Sequence, residues 1–166
     1  MSAARSAAGR AVAVLLGALL FTGLLGGVPT QHLGDRAAAT TTAKPVTKTS
    51  VNQRIRAMRI ALAQRGDPYK YGAAGPNAFD CSGLTSYSYK RAGRAIPRTS
   101  DQQKAGLRAI AKSDKERGDI IVFVHGSDAY HVGIYVGNNK IVHASRPGTP
   151  VKVERIWTSS YVVRRP

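Results

Sequence analysis

The chain has a single cysteine, Cys81, within Gly75-Pro-Asn-Ala-Phe-Asp-Cys-Ser-Gly-Leu84. Thr85 to Arg91 contain no glycine or proline, and Ala92-Gly93 supplies a stop signal. Cys81 is therefore expected in the first turn of a helix of about ten residues. Unpaired amide N–H groups and the helix dipole favour negative charge there, so the nucleophilic thiolate is stabilised. A free cysteine is also commonly a small buried hydrophobe, and the cysteine alone leaves both readings open. A nucleophilic thiol needs a base, and the base needs a third group to hold its tautomer. His125, His131 and His143 are the candidates. Across a tight antiparallel hairpin, residues spaced like His131 and His143 can lie side by side. His131 as base with His143 as orienter is thus geometrically open, and so is a plain structural role for each. The three histidines together have the right ligand type for a metal, but no carboxylate stands at a ligand-like spacing. No metal and no cofactor is expected. One cysteine also excludes an internal disulfide and a multi-cysteine zinc site.

The elements that must position these residues are legible in outline. Ser50 or Asn52 can cap a helix running to about Arg65, with Val51, Ile55, Met58 and Leu62 on one face and Gly66 as its stop. Asp67 to Gly72 reads as a turn and a short extended piece, and Ala73 to Asn77 as a loop around the Gly75-Pro76 breaker. Thr99 or Ser100 caps a short helix over Asp101 to Ala105. Strands are expected from Gly118 to Val124, His131 to Val136 and Ile141 to Ala144, with His125 to Tyr130 a polar loop and Gly137 to Lys140 a turn. Val151 to Ile156 and Tyr161 to Val163 complete the set. Helices first and a strand meander after them predict an α+β domain with an antiparallel sheet. Arg117-Gly-Asp119 opens a core strand, which argues against an adhesion motif.

Residues 1–10 carry Arg5 and Arg10 and no acid, and 11–28 have no charged side chain. That layout predicts a secretory signal peptide over 1–39, with Ala37-Ala38-Ala39 before the cut. The apolar run is also long enough for an uncleaved anchor; either way the domain lies outside the cytoplasm. Thr40 to Ser50 has little to bury and reads as a flexible Thr-rich linker. The folded domain is then 51–166. It holds 20 basic and 8 acidic residues, so most of the chain's net charge of +16 stays with it. Such a surface suits an anionic partner. Its basic residues are spread and not interleaved with aromatics, so a nucleic-acid binder is not expected. A monomer without stable membrane insertion after signal cleavage is expected.

Six blocks in order, Tyr69-Lys-Tyr-Gly72, Phe79-Asp-Cys-Ser-Gly-Leu84, Pro97-Arg-Thr-Ser-Asp-Gln102, Gly118-Asp-Ile120, His131-Val-Gly-Ile-Tyr-Val-Gly137 and Val142-His-Ala144, resemble the NlpC/P60 cell-wall endopeptidases. The resemblance covers about 60–165. It implies a papain-like fold, with the cysteine at a helix N-terminus packed on an antiparallel sheet that carries the histidines. It implies hydrolysis of peptidoglycan stem peptides, commonly between D-glutamate and a diamino acid. Cys81 would be the nucleophile, His131 the base, His143 the third polar residue and Tyr69 a donor near the oxyanion. Asp80 and Ser82 would hold the stem peptide, with Asp80 equally readable as a helix N-cap. Arg98 and Ser100 match a family motif with a structural role open to them. Tyr71 stands where Trp is frequent, and Glu116-Arg117 precedes Gly118-Asp119 where Pro is common; neither departure touches a catalytic position. The domain is thus read as a secreted cysteine peptidase associated with the cell wall and drawn to anionic envelope polymers. The rival readings are a non-catalytic cationic wall-binding protein and an amidase or transferase on the same scaffold.

Overall fold

The computed structural model describes residues 48–166. The segment read as a signal peptide, and the linker up to Thr47, lie outside the described residues. Helix α1 spans Lys48–Ala63, α2 Cys81–Arg91 and α3 Ser100–Gly106. The strands are β1 (Arg108–Ile110), β2 (Ile120–His125), β3 (Asp128–Gly137), β4 (Lys140–His143), β5 (Lys152–Arg155) and β6 (Tyr161–Arg165). They form one antiparallel sheet in the order β1-β6-β2-β3-β4-β5. The α+β reading holds. Among the described residues no helix is long and apolar enough to cross a membrane.

Alternation along β2 divides the core between the two faces of the sheet. Ile120 and Val122 join Leu84 and Tyr89 of α2 and Ala57, Met58 and Ala61 of α1. Ile121 and Phe123 point the other way, into a smaller cluster with Ile141, Ile156, Tyr161 and Val163. All the residues named are buried.

The helix α1 differs from expectation in two respects. It begins at Lys48, three residues inside the segment read as linker. Its buried stripe is Arg54, Ala57, Met58 and Ala61, while Val51 is 37% exposed and Ile55 and Leu62 only flank the core. An arginine occupies the stripe because ion pairs meet it there: Arg54 donates to Glu116 at 2.6 Å and lies 3.9 Å from the buried Asp119. Asp119 also takes Arg165 of β6 at 2.7 Å, so one charged cluster ties α1 and β6 to the turn that leads into β2.

The strands are longer than expected around the histidine hairpin. His125 ends β2 and is not a loop residue, and β3 begins at Asp128, three residues before His131. Ser100 Oγ donates to the Ala129 carbonyl at 2.8 Å, and Asp101 Oδ1 accepts from its N–H at 2.8 Å. The first residues of α3 thus fix the start of β3. Thr99 caps α3 in a capping box with Gln102. The strand β1 was not anticipated; its three residues are short and largely exposed.

Two glycines permit close approaches at the site. A Cβ on Gly83 would lie 2.1 Å from the Ala73 carbonyl oxygen, and one on Gly133 would lie 3.2 Å from the Cβ of His143. Gly83 lets the start of α2 press against the preceding loop, and Gly133 lets β4 bring His143 close to β3. Gly83→Ala is expected to lower the unfolding free energy by about 2 kcal/mol, because backbone and not a pliable side chain must yield. Urea denaturation checks this; an unchanged midpoint would contradict the packing.

Candidate active site

Cys81 is the first residue of α2, and Asp80 is its N-cap. Asp80 Oδ1 accepts from the Gly83 N–H at 2.6 Å, and Oδ2 accepts from the Gly72 N–H at 2.9 Å. Arg98 grips the same carboxylate with both amino groups, at 3.0 and 2.6 Å, and donates to Ser82 Oγ at 2.9 Å. Ser82 Oγ in turn lies 3.3 Å from Asp80 Oδ1. Of the two readings of Asp80, the N-cap is the one whose geometry is present, and both its oxygens are engaged. The carboxyl group stays below its ordinary pKa: burial opposes ionisation, and the donors from Arg98, Gly83 and Gly72 outweigh it.

The Cys81 side chain is half-buried at the junction of α2 and β3. The backbone amides of Val132, Ser82 and Cys81 itself favour negative charge on the sulfur. Val132 directly follows His131 on β3, and its side chain lies in the cluster that α2 packs on. The helix N-terminus does not win outright. Burial is the largest effect on the thiol and pushes its pKa up; the Asp80 charge adds to it, and the three amides pull it partly back. Burial thus opposes the stabilisation that the helix N-terminus offers a thiolate. His131 is buried as well, and desolvation with the neighbouring His143 pushes its pKa from 6.5 down to about 3. Burial pushes both thiol and imidazole toward their neutral forms.

The hairpin does what the spacing of its histidines allows. His131 Nε2 lies 2.8 Å from His143 Nδ1. Beyond them, His143 Nε2 lies 3.0 Å from Glu154 Oε2 on β5. Glu154 went unnoticed in the sequence; the only signal was the alternation of Lys152-Val-Glu-Arg155, which says nothing of which face carries chemistry. Trp157 also went unnoticed. Its ring stacks on Phe123 at 4.0 Å and lies 5.7 and 5.6 Å from the two histidine rings. His125 is set apart, against the Tyr130 ring at 4.7 Å. Among the described residues no group of three His, Cys, Asp or Glu side chains is gathered as a metal ion would need.

Tyr69 approaches from the other side. The Lys70 N–H donates to the Phe79 carbonyl at 3.0 Å and the Phe79 N–H to the Pro68 carbonyl at 3.1 Å. This small bridge sets Tyr69 beside the start of α2. Burial, then the charges of Cys81 and Asp80, raise the phenol pKa, so Tyr69 remains an O–H donor. Tyr69 thus lies near Cys81, His131 is joined to His143 on the neighbouring strand, and Asp80, Ser82 and Arg98 form the support beneath Cys81.

The model of the NlpC/P60 family matches residues 66–165. The chain belongs to the NlpC/P60 family. A probable endopeptidase of Corynebacterium glutamicum is 46% identical over 123 residues, covering 74% of this chain and 56% of the relative. A probable endopeptidase of Mycobacterium tuberculosis is 43% identical over 100 residues, covering 60% of this chain and 26% of the relative. The chain thus spans about half, or less, of the length of these curated relatives. Among solved structures, the peptidoglycan hydrolase RipB of Mycobacterium tuberculosis aligns with a TM-score of 0.64 at 28% identity, over 70% of this chain and 66% of that one. NlpC1 of Trichomonas vaginalis aligns with a TM-score of 0.63 at 36% identity, over 69% and 44%. The expected papain-like NlpC/P60 fold is the observed one.

These two shifts, at Cys81 and His131, have measurable consequences. Alkylation of Cys81 by iodoacetamide, followed from about pH 5 to about pH 10, is expected to rise with a midpoint above the ordinary thiol value. A plateau in mildly acidic solution would show a preformed ion pair instead. Stability responds to His131. Its pKa is 6.5 when unfolded and about 3 when folded, so the native state binds fewer protons between these values. The contribution is intact above 6.5 and is lost as pH falls toward 3. His131→Gln is expected to lose less stability than wild type between about pH 7 and about pH 4.5; equal losses of urea midpoint would contradict the shift.

Proposed function

We propose that the domain is a secreted cysteine endopeptidase that hydrolyses peptide bonds in peptidoglycan stem peptides, between D-glutamate and a diamino acid. The observation that carries the reading is the joint presence of Cys81 at a helix N-terminus and of His131 hydrogen-bonded to His143 at 2.8 Å on the sheet. The naming of relatives as probable endopeptidases and of RipB as a peptidoglycan hydrolase supports it.

In this reading Cys81 gives its proton to His131, and the sulfur attacks the carbonyl carbon of the stem-peptide amide. The Tyr69 hydroxyl and the Cys81 backbone N–H donate to the oxyanion as it forms. The tetrahedral intermediate collapses, the C–N bond breaks, and the His131 imidazolium protonates the leaving amine. Water, relieved of a proton by His131, then cleaves the thioester and returns the thiol. A substrate amine reaching Asp80 would share the carboxylate with Arg98, so Asp80 and Ser82 hold substrate only in addition to holding α2. A cleft of about 630 Å³ along α2, lined by Tyr87, Ile96, Lys90, Arg91 and Arg98, would offer cations to the stem peptide's carboxylates. The signal segment 1–39 would deliver the enzyme to the cell wall, and its positive charge would hold it on anionic envelope polymers.

Digestion of peptidoglycan with mass identification of the released fragments tests this reading. Fragments cut within the stem and absent with Cys81→Ala are expected; release of whole stems would indicate an amidase, and binding without release a wall-binding module. Tyr69→Phe is expected to lower kcat about a hundredfold, the typical loss for one oxyanion donor. Retention on insoluble wall material is expected to fall as salt is raised, because exposed charges are screened; salt-independent retention would remove the electrostatic part.

A further inference from the structure

Two hydrogen bonds run in series from β3 to the edge of the sheet. His131 Nε2 meets His143 Nδ1 at 2.8 Å, and His143 Nε2 meets Glu154 Oε2 at 3.0 Å. That same oxygen lies 3.0 Å from Lys152 Nζ. The direction of the hydrogens is decided at the far end. Lys152 first, and His143 after it, keep Glu154 ionised, and a carboxylate only accepts. His143 Nε2 must therefore carry a hydrogen. Burial keeps His143 neutral, so its Nδ1 is bare and accepts. His131 Nε2 must then donate, and the lone pair left on neutral His131 is on Nδ1.

We propose that Glu154 is a positioning residue that fixes the tautomers of both histidines and so leaves His131 Nδ1 as the basic nitrogen available to Cys81. Without it, His143 is free to take the reverse tautomer, with its hydrogen on Nδ1 and donated to His131 Nε2. His131 would then carry its own hydrogen on Nδ1 and have no lone pair for the thiol. The proton balance needs no further reactant: the S–H bond of Cys81 breaks, an N–H bond forms at His131 Nδ1, and the new positive charge faces the Glu154 carboxylate through neutral His143. The carboxylate attracts that charge, since it is the one influence that raises the His131 pKa. Glu154 side-chain atoms are 43% exposed, and β5 is an edge strand, so its removal leaves no hole in the core.

The proposal rests on reading Cys81 and His131 as nucleophile and base, and its test separates the two. Nitrogen-15 NMR of the histidine rings in the full chain reads the tautomers without substrate, while kcat and KM on peptidoglycan fragments read the reaction. Wild type is expected to carry hydrogen on Nε2 of both His131 and His143. Glu154→Ala is expected to mix the His131 tautomers and lower kcat about tenfold or more, with KM within about twofold and the urea midpoint unchanged. Glu154→Gln keeps an oxygen that accepts from both Lys152 and His143, and is expected to restore the tautomers and most of kcat. Hydrogen on Nδ1 of His131 in wild type, or unaltered tautomers in Glu154→Ala whether or not kcat falls, would overturn the proposal. Tautomers that follow Glu154 in a protein that cleaves no peptidoglycan would uphold the lock and refute the assigned reaction.

Discussion

The carboxylate of Asp80 is the point on which the site is assembled. It caps α2 through the Gly83 N–H, holds the Gly72 turn, and anchors Arg98 from the segment that leads into α3. Three stretches of chain that are distant in sequence meet at one charge. Gln103 braces the same junction, donating to the carbonyls of Ser82 and Pro97 and accepting from Thr85. Loss of Asp80 would free the helix start, the loop and Arg98 together. The arrangement has a cost, because a negative charge beside Cys81 opposes a thiolate. The bidentate Arg98 offsets that charge at close range, and so the cap and its counter-ion have to be considered as one unit.

The same burial that builds the site sets its resting charge. Desolvation disfavours the charged form of every group, so it raises a thiol and lowers an imidazole. Both effects appear here as the largest influence on Cys81 and on His131. A helix N-terminus is thus not by itself enough to ionise a cysteine. Its amides contribute, but they compete with a wall of apolar side chains.

What the sequence disclosed follows from the range of the signals. The start of α2, its stop at Ala92-Gly93 and a cap for α3 at Thr99 or Ser100 are written within a few residues, and all were legible. The histidine pair was legible because a hairpin converts spacing into proximity. Arg54 was not, because an arginine in a helical stripe reads as surface until Glu116 and Asp119 are seen to meet it. Glu154 and Trp157 were not, because their place depends on how β5 and the segment after it fold back on β4. The register that pairs Ile141 with Glu154 and His143 with Lys152 is a fact of the sheet and not of any local pattern. The desolvation of Cys81 was not legible for the same reason: position on a helix is local, and burial is not.

The Trp157 ring completes this account of the electrostatics. Stacked on Phe123, it presents an apolar surface to both histidines, and a low-dielectric wall strengthens the hydrogen bonds it shields. It also makes His131 a weak base at rest. A dyad that held a stable ion pair before substrate arrived would have spent its electrostatic stabilisation on the ground state. In the proposed reaction charge separates only as the proton leaves Cys81. The amides of Val132, Ser82 and Cys81 at the sulfur, and Glu154 behind the histidines, gain most of their effect at that moment. Groups that are nearly idle around a neutral pair and strongly engaged around a charged one lower the barrier between them, which is how a buried, poorly ionised cysteine can still serve as a nucleophile.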